Sequence, residues 1–223
     1  MSYDLTNQRV LITAASRGIG KATAAAFQSA GAKVAICARN EIQLLETKMH
    51  LETLGNQSVL AKVADLSIPE DINQLVDFVE SDFGGIDILV NNSGGPPPGT
   101  HEQIDDEQWS KAFEATLCSS IRITNRVLPR MKNKGSGRII NLSSYSVKQP
   151  MSSMMLSNSI RLAALGWSKT LSNELARFNI LVNTICTGWT KTNRVEELLE
   201  NRAIEQDATN AEIEKAITSS IPL

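Results

Sequence analysis

The chain has 223 residues, a mass of 24.3 kDa and a formal net charge of −2, with 42% hydrophobic and 21% charged residues. That length suits one large α/β domain over residues 1–223, and the near-neutral balance gives no electrostatic basis for a nucleic-acid or anionic-membrane partner. No run of about 18 apolar residues is available to span a bilayer, and residues 1–8 lack the basic and apolar regions of a signal peptide, so a cytoplasmic protein is expected.

Short β-branched runs alternate with longer helical patterns. Residues 9–13 predict a first strand, and the alanine-rich stretch 18–30 a helix stopped by Gly31. Strand two is predicted at 33–38, a helix at 41–54 before Gly55, and strand three at 58–64. Ser67 and Glu70 bracket Pro69 in a capping-box pattern that opens a helix running to about Phe83. Strand four is predicted at 86–90. The loop at 91–100 contains Pro96-Pro97-Pro98-Gly99, which reads as a rigid segment. One long helix follows at 105–132, then strand five at 138–142, a helix at 157–178 and strand six at 180–185. The remainder is polar and helical, with a second capping box at Thr209 and Glu212. This alternation predicts a Rossmann-type, doubly wound parallel sheet in the order 3-2-1-4-5-6, with helices on both faces. Cys37, Cys118 and Cys186 are odd in number and far apart in apolar settings. They predict buried free thiols, with no disulfide framework and no metal site.

The first turn, Thr13-Ala14-Ala15-Ser16-Arg17-Gly18-Ile19-Gly20, lies between a strand and a helix. Glycines there let backbone approach a pyrophosphate, and the helix N-terminus supplies free N–H groups and a positive dipole end. Asp65 ends strand three, where a carboxylate can accept from an adenine amino group. Asn91-Asn92-Ser93-Gly94-Gly95 ends strand four at the carboxyl edge, where ligands bind in open α/β sheets. Strand two ends in Arg39 and not in an acidic residue that would hold a ribose 2′-hydroxyl, and Arg17 sits across the first turn. Two guanidinium groups suit a 2′-phosphate, so NADP(H) is expected over NAD(H).

These motifs together resemble the short-chain dehydrogenase/reductase family, particularly its β-ketoacyl-acyl-carrier-protein reductase-like members. The family's Thr-Gly-x-x-x-Gly-x-Gly turn is matched by Thr13, Gly18 and Gly20, and its Asn-Asn-Ala-Gly motif looks like Asn91-Asn92-Ser93-Gly94. Its Asn-x-Ser-Ser strand looks like Asn141-Leu142-Ser143-Ser144, and its Pro-Gly-x-x-x-Thr motif like Thr187-Gly188 with Thr192. The resemblance implies cofactor contacts from Thr13, Ser16, Arg17, Gly18, Ile19, Gly20, Arg39, Asp65, Leu66, Asn91, Ser93, Gly94, Gly188 and Thr192. It also implies a small carbonyl or alcohol substrate, of 3-oxoacyl type, and a homodimer through the two long helices. Residues about 193–223 look like a helical substrate lid. Family members continue with another helix and a seventh strand, so that strand is expected to be absent and strand six to lie at an edge.

The departures bear on chemistry. Ala14 stands where the first glycine belongs, and Thr187 where a proline belongs. Of the family's Asn, Ser, Tyr and Lys, only Ser144 is matched: counting from Trp109 the asparagine position falls on Thr116, and the Tyr-x-x-x-Lys pair falls on Ser157 and Arg161. The family tyrosine is an acid/base whose ordinary pKa of about 10 is lowered by a lysine one helical turn away. Serine cannot be tuned that far, and arginine does not give up its proton. Tyr3 and Tyr145 are the chain's two tyrosines, and neither has a lysine four residues later. Three readings stay open: an NADP(H)-dependent oxidoreductase with weak or altered chemistry, a non-catalytic NADP(H)-binding pseudoenzyme that senses or scaffolds, and a folding or interaction module that binds no nucleotide.

Overall fold

The computed structural model describes residues 4–221; Tyr3 and the Pro222-Leu223 end lie outside them. The chain divides into two compact units, Met1–Thr187 and Gly188–Leu223.

The first unit carries six strands: β1 (Arg9–Ile12), β2 (Lys33–Ala38), β3 (Leu60–Val63), β4 (Ile88–Asn91), β5 (Gly137–Ser144) and β6 (Ile180–Thr187). They form one sheet in the order β3-β2-β1-β4-β5-β6, with every pairing parallel, as the alternation predicts. Side chains alternate between the two faces, so neighbours on one strand feed different cores. Leu11, Leu89 and Ile139 pack with Leu75 and Val79 of α3 (Pro69–Phe83). Val10, Ile12, Val34 and Val90 pack on the other side with Ala24 of α1 (Gly18–Ser29) and with Leu44 and Leu51 of α2 (Glu41–Glu52). Both faces are therefore apolar, as parallel sheets require. The strand order reverses between β1 and β4, which opens a crevice at their carboxyl ends.

Several sequence expectations need correction. The long helix at 105–132 is three pieces: α4 (Asp106–Phe113), a π-helical segment at Glu114–Cys118, and α5 (Ser119–Lys134). Apolar periodicity does not register a single widened turn, so the sequence pattern is blind to it. Ser67 does not cap α3. The N-cap is Ile68 without a side-chain cap bond, and Ser67 Oγ donates to Asp65 Oδ1 at 2.7 Å instead. Pro69 at the first helical position has no N–H to cap and its ring fixes a helical φ. Of the cysteines only Cys37 is buried; Cys118 is half-buried and Cys186 is exposed. Cys186 lies on β6 at the sheet edge, where Leu181 and Ile185 are also 47% and 50% exposed. The helix before β6, α6 (Met155–Leu175), begins earlier than its apolar pattern suggests and ends in a short 3-10 turn at Ala176–Phe178.

The second unit holds α7 (Asn193–Gln206) and α8 (Asn210–Ser219). Its own small core is Leu199, Ala203 and Ile213. The predicted Thr209–Glu212 capping box is present: Thr209 N donates to Glu212 Oε2 at 2.9 Å and Glu212 N to Thr209 Oγ1 at 3.3 Å. Among the described residues no helix is long and apolar enough to cross a membrane, and no group of His, Cys, Asp and Glu is placed to hold a metal ion.

The amino end of the sheet is locked by charge. Arg9 grips Asp87 with a fork, Nε to Oδ2 at 2.7 Å and Nη2 to Oδ1 at 2.8 Å, and Lys134 Nζ reaches Oδ1 at 2.5 Å. Burial alone would raise the Asp87 carboxyl, but these two cations outweigh it and hold it well below the usual carboxylate range. Its folded value is depressed, so its stabilisation is complete above the ordinary unfolded value of about 3.9 and is lost as pH falls towards the folded one. Replacing Asp87→Asn should cost about 3 kcal/mol at neutral pH, because it leaves two cations without their partner. Urea titrations of both proteins should show that difference shrinking once the pH drops below about 4. A pH-independent gap would contradict the ionic origin of the lock.

Candidate active site

The β1–α1 turn is held from three sides. From β4, Thr13 Oγ1 donates to Asn92 O at 2.6 Å and accepts from Asn92 N at 2.8 Å, and Asn92 Nδ2 donates to Ala14 O at 3.1 Å. From β2, Cys37 O accepts from Ala15 N at 3.0 Å. From α2, Thr47 Oγ1 donates to Ser16 O at 2.8 Å. Complete burial pushes the Cys37 thiol up to about 12, so it is an inert wall beneath the turn and not a nucleophile.

Backbone conformation explains which residues this turn demands. Ala14 adopts φ +47° and Gly18 φ +57°, both left-handed. The alanine therefore keeps the turn's shape at a steric cost that glycine would not bear. At Gly20 the constraint is space: a Cβ would lie 2.6 Å from Ala14 O and 2.7 Å from Asn92 Nδ2. Arg17 is the N-cap of α1, and its donor-only guanidinium makes no cap hydrogen bond to the first-turn N–H groups. A helix opening of this form can receive an anion.

Arg39 and Asp65 leave the carboxyl ends of β2 and β3 side by side, with Arg39 Nη1 3.9 Å from Asp65 Oδ2. Asp65 Oδ1 accepts from Ser67 N at 2.9 Å and from Ser67 Oγ at 2.7 Å. Burial raises this carboxyl, but the Ser67 bonds and the Arg39 charge outweigh it and leave it below its ordinary value. Leu66, beside it, is half-buried.

Across the crevice, β4 and β5 deliver a buried polar chain. Asn91 Nδ2 donates to Thr124 Oγ1 at 3.1 Å and to Asn141 Oδ1 at 2.8 Å, Asn141 Nδ2 donates to Ser168 Oγ at 3.0 Å, and Thr184 Oγ1 donates to the same Ser168 oxygen at 2.8 Å. Above this chain is a cavity lined by Asn91, Ser93, Thr116, Ser143 and Arg161, among others. Asn91 Oδ1 and Ser143 Oγ are buried without a hydrogen-bond partner. Thr116 sits on the π-helical segment, a widened turn of a kind that recurs at functional sites.

Ser157 and Arg161 lie one turn apart on α6, and Arg161 Nε donates to Ser157 Oγ at 3.2 Å. Arg161 Nη1 donates to Leu142 O at 3.3 Å. Ser144 ends β5 and its Oγ accepts from Ser146 N at 3.1 Å, which opens the 3-10 turn Tyr145–Val147. Thr187, at the expected proline position, donates to Ser143 O at 3.0 Å and so ties the ends of β5 and β6 together. Of the residues singled out in the sequence, Asn91, Ser93, Thr116 and Arg161 thus share one cavity, with Ser157 bonded to Arg161. Gly188 and Thr192 belong to the second unit, where Gly188 is exposed and Thr192 is the N-cap of α7. Sequence reasoning missed the Asn92 clamp and the Asn141–Ser168–Thr184 chain. Their partners are 16 to 79 residues away in sequence, beyond any local pattern.

A family model for short chain dehydrogenases matches residues 8–203. The chain belongs to the short-chain dehydrogenase family. The 3-oxoacyl-[acyl-carrier-protein] reductase FabG of Vibrio cholerae is 30% identical over 210 residues, covering 94% of this chain and 83% of that protein. D-beta-hydroxybutyrate dehydrogenase of Rhizobium meliloti is 32% identical over 208 residues, covering 91% and 79%. Among solved structures, a variant of actinorhodin polyketide ketoreductase with NADPH superposes with a TM-score of 0.93 at 30% identity, covering 100% of this chain and 85% of that one. L-sorbose reductase from Gluconobacter frateurii, complexed with NADPH and L-sorbose, gives 0.89 at 30% identity, covering 98% and 82%. As a member of this oxidoreductase family, the chain keeps the family sheet and its glycine-rich turn with alanine at position 14.

Two substitutions test the turn. Ala14→Gly should raise stability by up to about 1 kcal/mol, the left-handed penalty less the entropy glycine gains in the unfolded chain. Gly20→Ala should lower it by about 2 kcal/mol, because the new methyl meets backbone that cannot yield. Denaturant unfolding reads both, and a destabilised Ala14→Gly protein would contradict the strain assigned to this residue.

Proposed function

We propose that this family member is an NADP(H)-dependent oxidoreductase that interconverts a carbonyl and an alcohol, 3-oxoacyl compounds being the favoured substrate class, with chemistry altered by a serine–arginine pair. The observation that carries the reading is the Ser157–Arg161 contact, with Arg161 lining a cavity that it shares with Asn91, Ser93 and Ser143 from the carboxyl ends of β4 and β5. The turn suits a dinucleotide by its place: α1 opens at the carboxyl edge of the sheet with its first-turn N–H groups at the crevice, and Gly20 lets the turn close tightly on the Ala14 carbonyl. Arg17 and Arg39 suit the 2′-phosphate, and the NADPH complexes of L-sorbose reductase and actinorhodin polyketide ketoreductase support that choice. Thr13, Ser16, Gly18 and Ile19 would hold the pyrophosphate side, Asp65 and Leu66 the adenine side, and Asn91, Ser93 and Gly94 the nicotinamide side. Gly188 and Thr192 are assigned to the cofactor on their sequence motif.

When bound, the nicotinamide supplies or accepts the hydride. This chain's residues must handle the proton at the substrate oxygen. Arg161 donates to Ser157 Oγ, which fills an acceptor position there and leaves the Ser157 hydroxyl proton to donate. Ser144 offers a second hydroxyl, and Thr116 occupies the remaining position of the set. The guanidinium stabilises negative charge that develops on the oxygen but passes on no proton. Without an acid tuned towards neutrality, turnover should fall by about 10²–10⁴ relative to a tyrosine–lysine enzyme. The second reading, a pseudoenzyme that binds NADP(H) without turnover, draws on the Arg161 bond to Leu142 O, which gives the guanidinium a structural task.

Turnover separates the two readings. NADPH oxidation with a panel of 3-oxoacyl thioesters should be slow but saturable in the natural protein and abolished by Arg161→Ala. It should rise at least about 10²-fold in Ser157→Tyr combined with Arg161→Lys. Activity found only in that double variant would favour the pseudoenzyme.

The reading also includes a homodimer through α4, α5 and α6. Phe113 and Leu162 on these helices are 45% and 54% exposed, and a dimer would cover such side chains. Sedimentation should give a dimer that Leu162→Glu converts to monomer; a monomeric natural protein would rule this part out.

A further inference from the structure

Resting on the NADP(H) reading above, we propose that Asp65 sets how strongly the site prefers NADPH to NADH, by competing with the cofactor's 2′-phosphate for the Arg39 guanidinium. The strand register places the two groups together: Ala38 pairs with Val63, and Ala64 N donates to Ala38 O at 3.1 Å, so Arg39 and Asp65 emerge from adjacent strand ends. The pair is asymmetric. Asp65 is fixed, its Oδ1 receiving two bonds from Ser67 and its own N–H donating to Asp71 Oδ2 at 2.8 Å. Arg39 is a flexible side chain, 78% exposed against 35% for Asp65. Asp65 therefore stays while Arg39 turns.

A 2′-phosphate carries about 1.5 to 2 negative charges and suits a guanidinium fork. To bind it, Arg39 must give up Asp65, which stays where Ser67 holds it. A ribose 2′-hydroxyl does not call on the guanidinium and meets no such cost. Asp65 thus weakens NADPH selectively and narrows the preference that Arg17 and Arg39 create. An exposed ion pair of this kind is weak, which limits the effect to about two- to fivefold in affinity.

The test is calorimetric titration of NADPH and NADH into the full-length protein and into Asp65→Asn, which keeps an oxygen for Ser67 while removing the charge. The ratio of NADPH to NADH affinity should rise about two- to fivefold in the variant, because any loss at the shared adenine weakens both cofactors alike and leaves that ratio unmoved. In an Arg39→Ala background the same substitution should no longer move the ratio. Equal weakening of both cofactors with the ratio unmoved would overturn the proposal and leave Asp65 an adenine contact alone. A rise in the ratio that persists without Arg39 would overturn it in favour of direct repulsion. If neither cofactor binds the natural protein, the NADP(H) reading fails first and this inference with it. Asp65→Ser serves the same comparison should the asparagine variant not fold.

Discussion

The bonds from Asn92 to Thr13 and Ala14 join the first turn to the end of β4, across the place where the strand order reverses. Both sides of the crevice depend on that seam. On one side it fixes a turn whose residues 14 and 18 are left-handed and whose Gly20 lies against the Ala14 carbonyl. On the other it fixes the start of the loop that begins at Asn91 and runs through Ser93 and Gly94. A sheet held only by apolar packing would leave this edge free to splay; three hydrogen bonds between a threonine, an alanine carbonyl and an asparagine prevent it.

The same logic continues along the sheet. Asn91, Asn141, Ser168 and Thr184 pass hydrogen bonds from β4 through β5 and α6 to β6, under the cavity that Arg161 faces. Buried polar groups are tolerated only when bonded, so each link specifies its neighbour's rotamer. Two of the exceptions among the described residues, Asn91 Oδ1 and Ser143 Oγ, belong to residues that line that cavity. At the opposite end of the sheet, Arg9, Asp87 and Lys134 hold the amino termini of β1 and β4 to the end of α5. Stability is thus concentrated at the base, and the carboxyl edge is given to positioning.

Much of this was legible in the sequence because it is local or periodic. The six strands, their order, the α1 opening and the Thr209–Glu212 cap follow from alternation, turn chemistry and handed crossovers. The glycine pattern correctly marked residues 18 and 20 as special, and for different reasons: one for its φ and one for lack of space. The rest leaves no trace in periodicity or in residues read one at a time. The widened turn at Glu114–Cys118 changes a hydrogen-bond register without changing the apolar stripe. Ser67 had two possible partners, a helix N-terminus and the Asp65 carboxylate, and only three-dimensional placement decides between them. Cys186 reads as a core residue by composition yet is exposed, because β6 is an edge strand. The Arg39–Asp65 pair is set by strand register, which single-residue reading treats as two independent ligands.

The central claim is that the tied turn and the β4 loop together form one nicotinamide-cofactor site. Amide hydrogen exchange with and without NADPH tests it most directly. The account expects the cofactor to slow exchange in residues 13–20 and 91–95 together, with little change at Arg9 and Asp87 on the far end of the sheet. Protection of neither segment at saturating NADPH, or of one without the other, would contradict it.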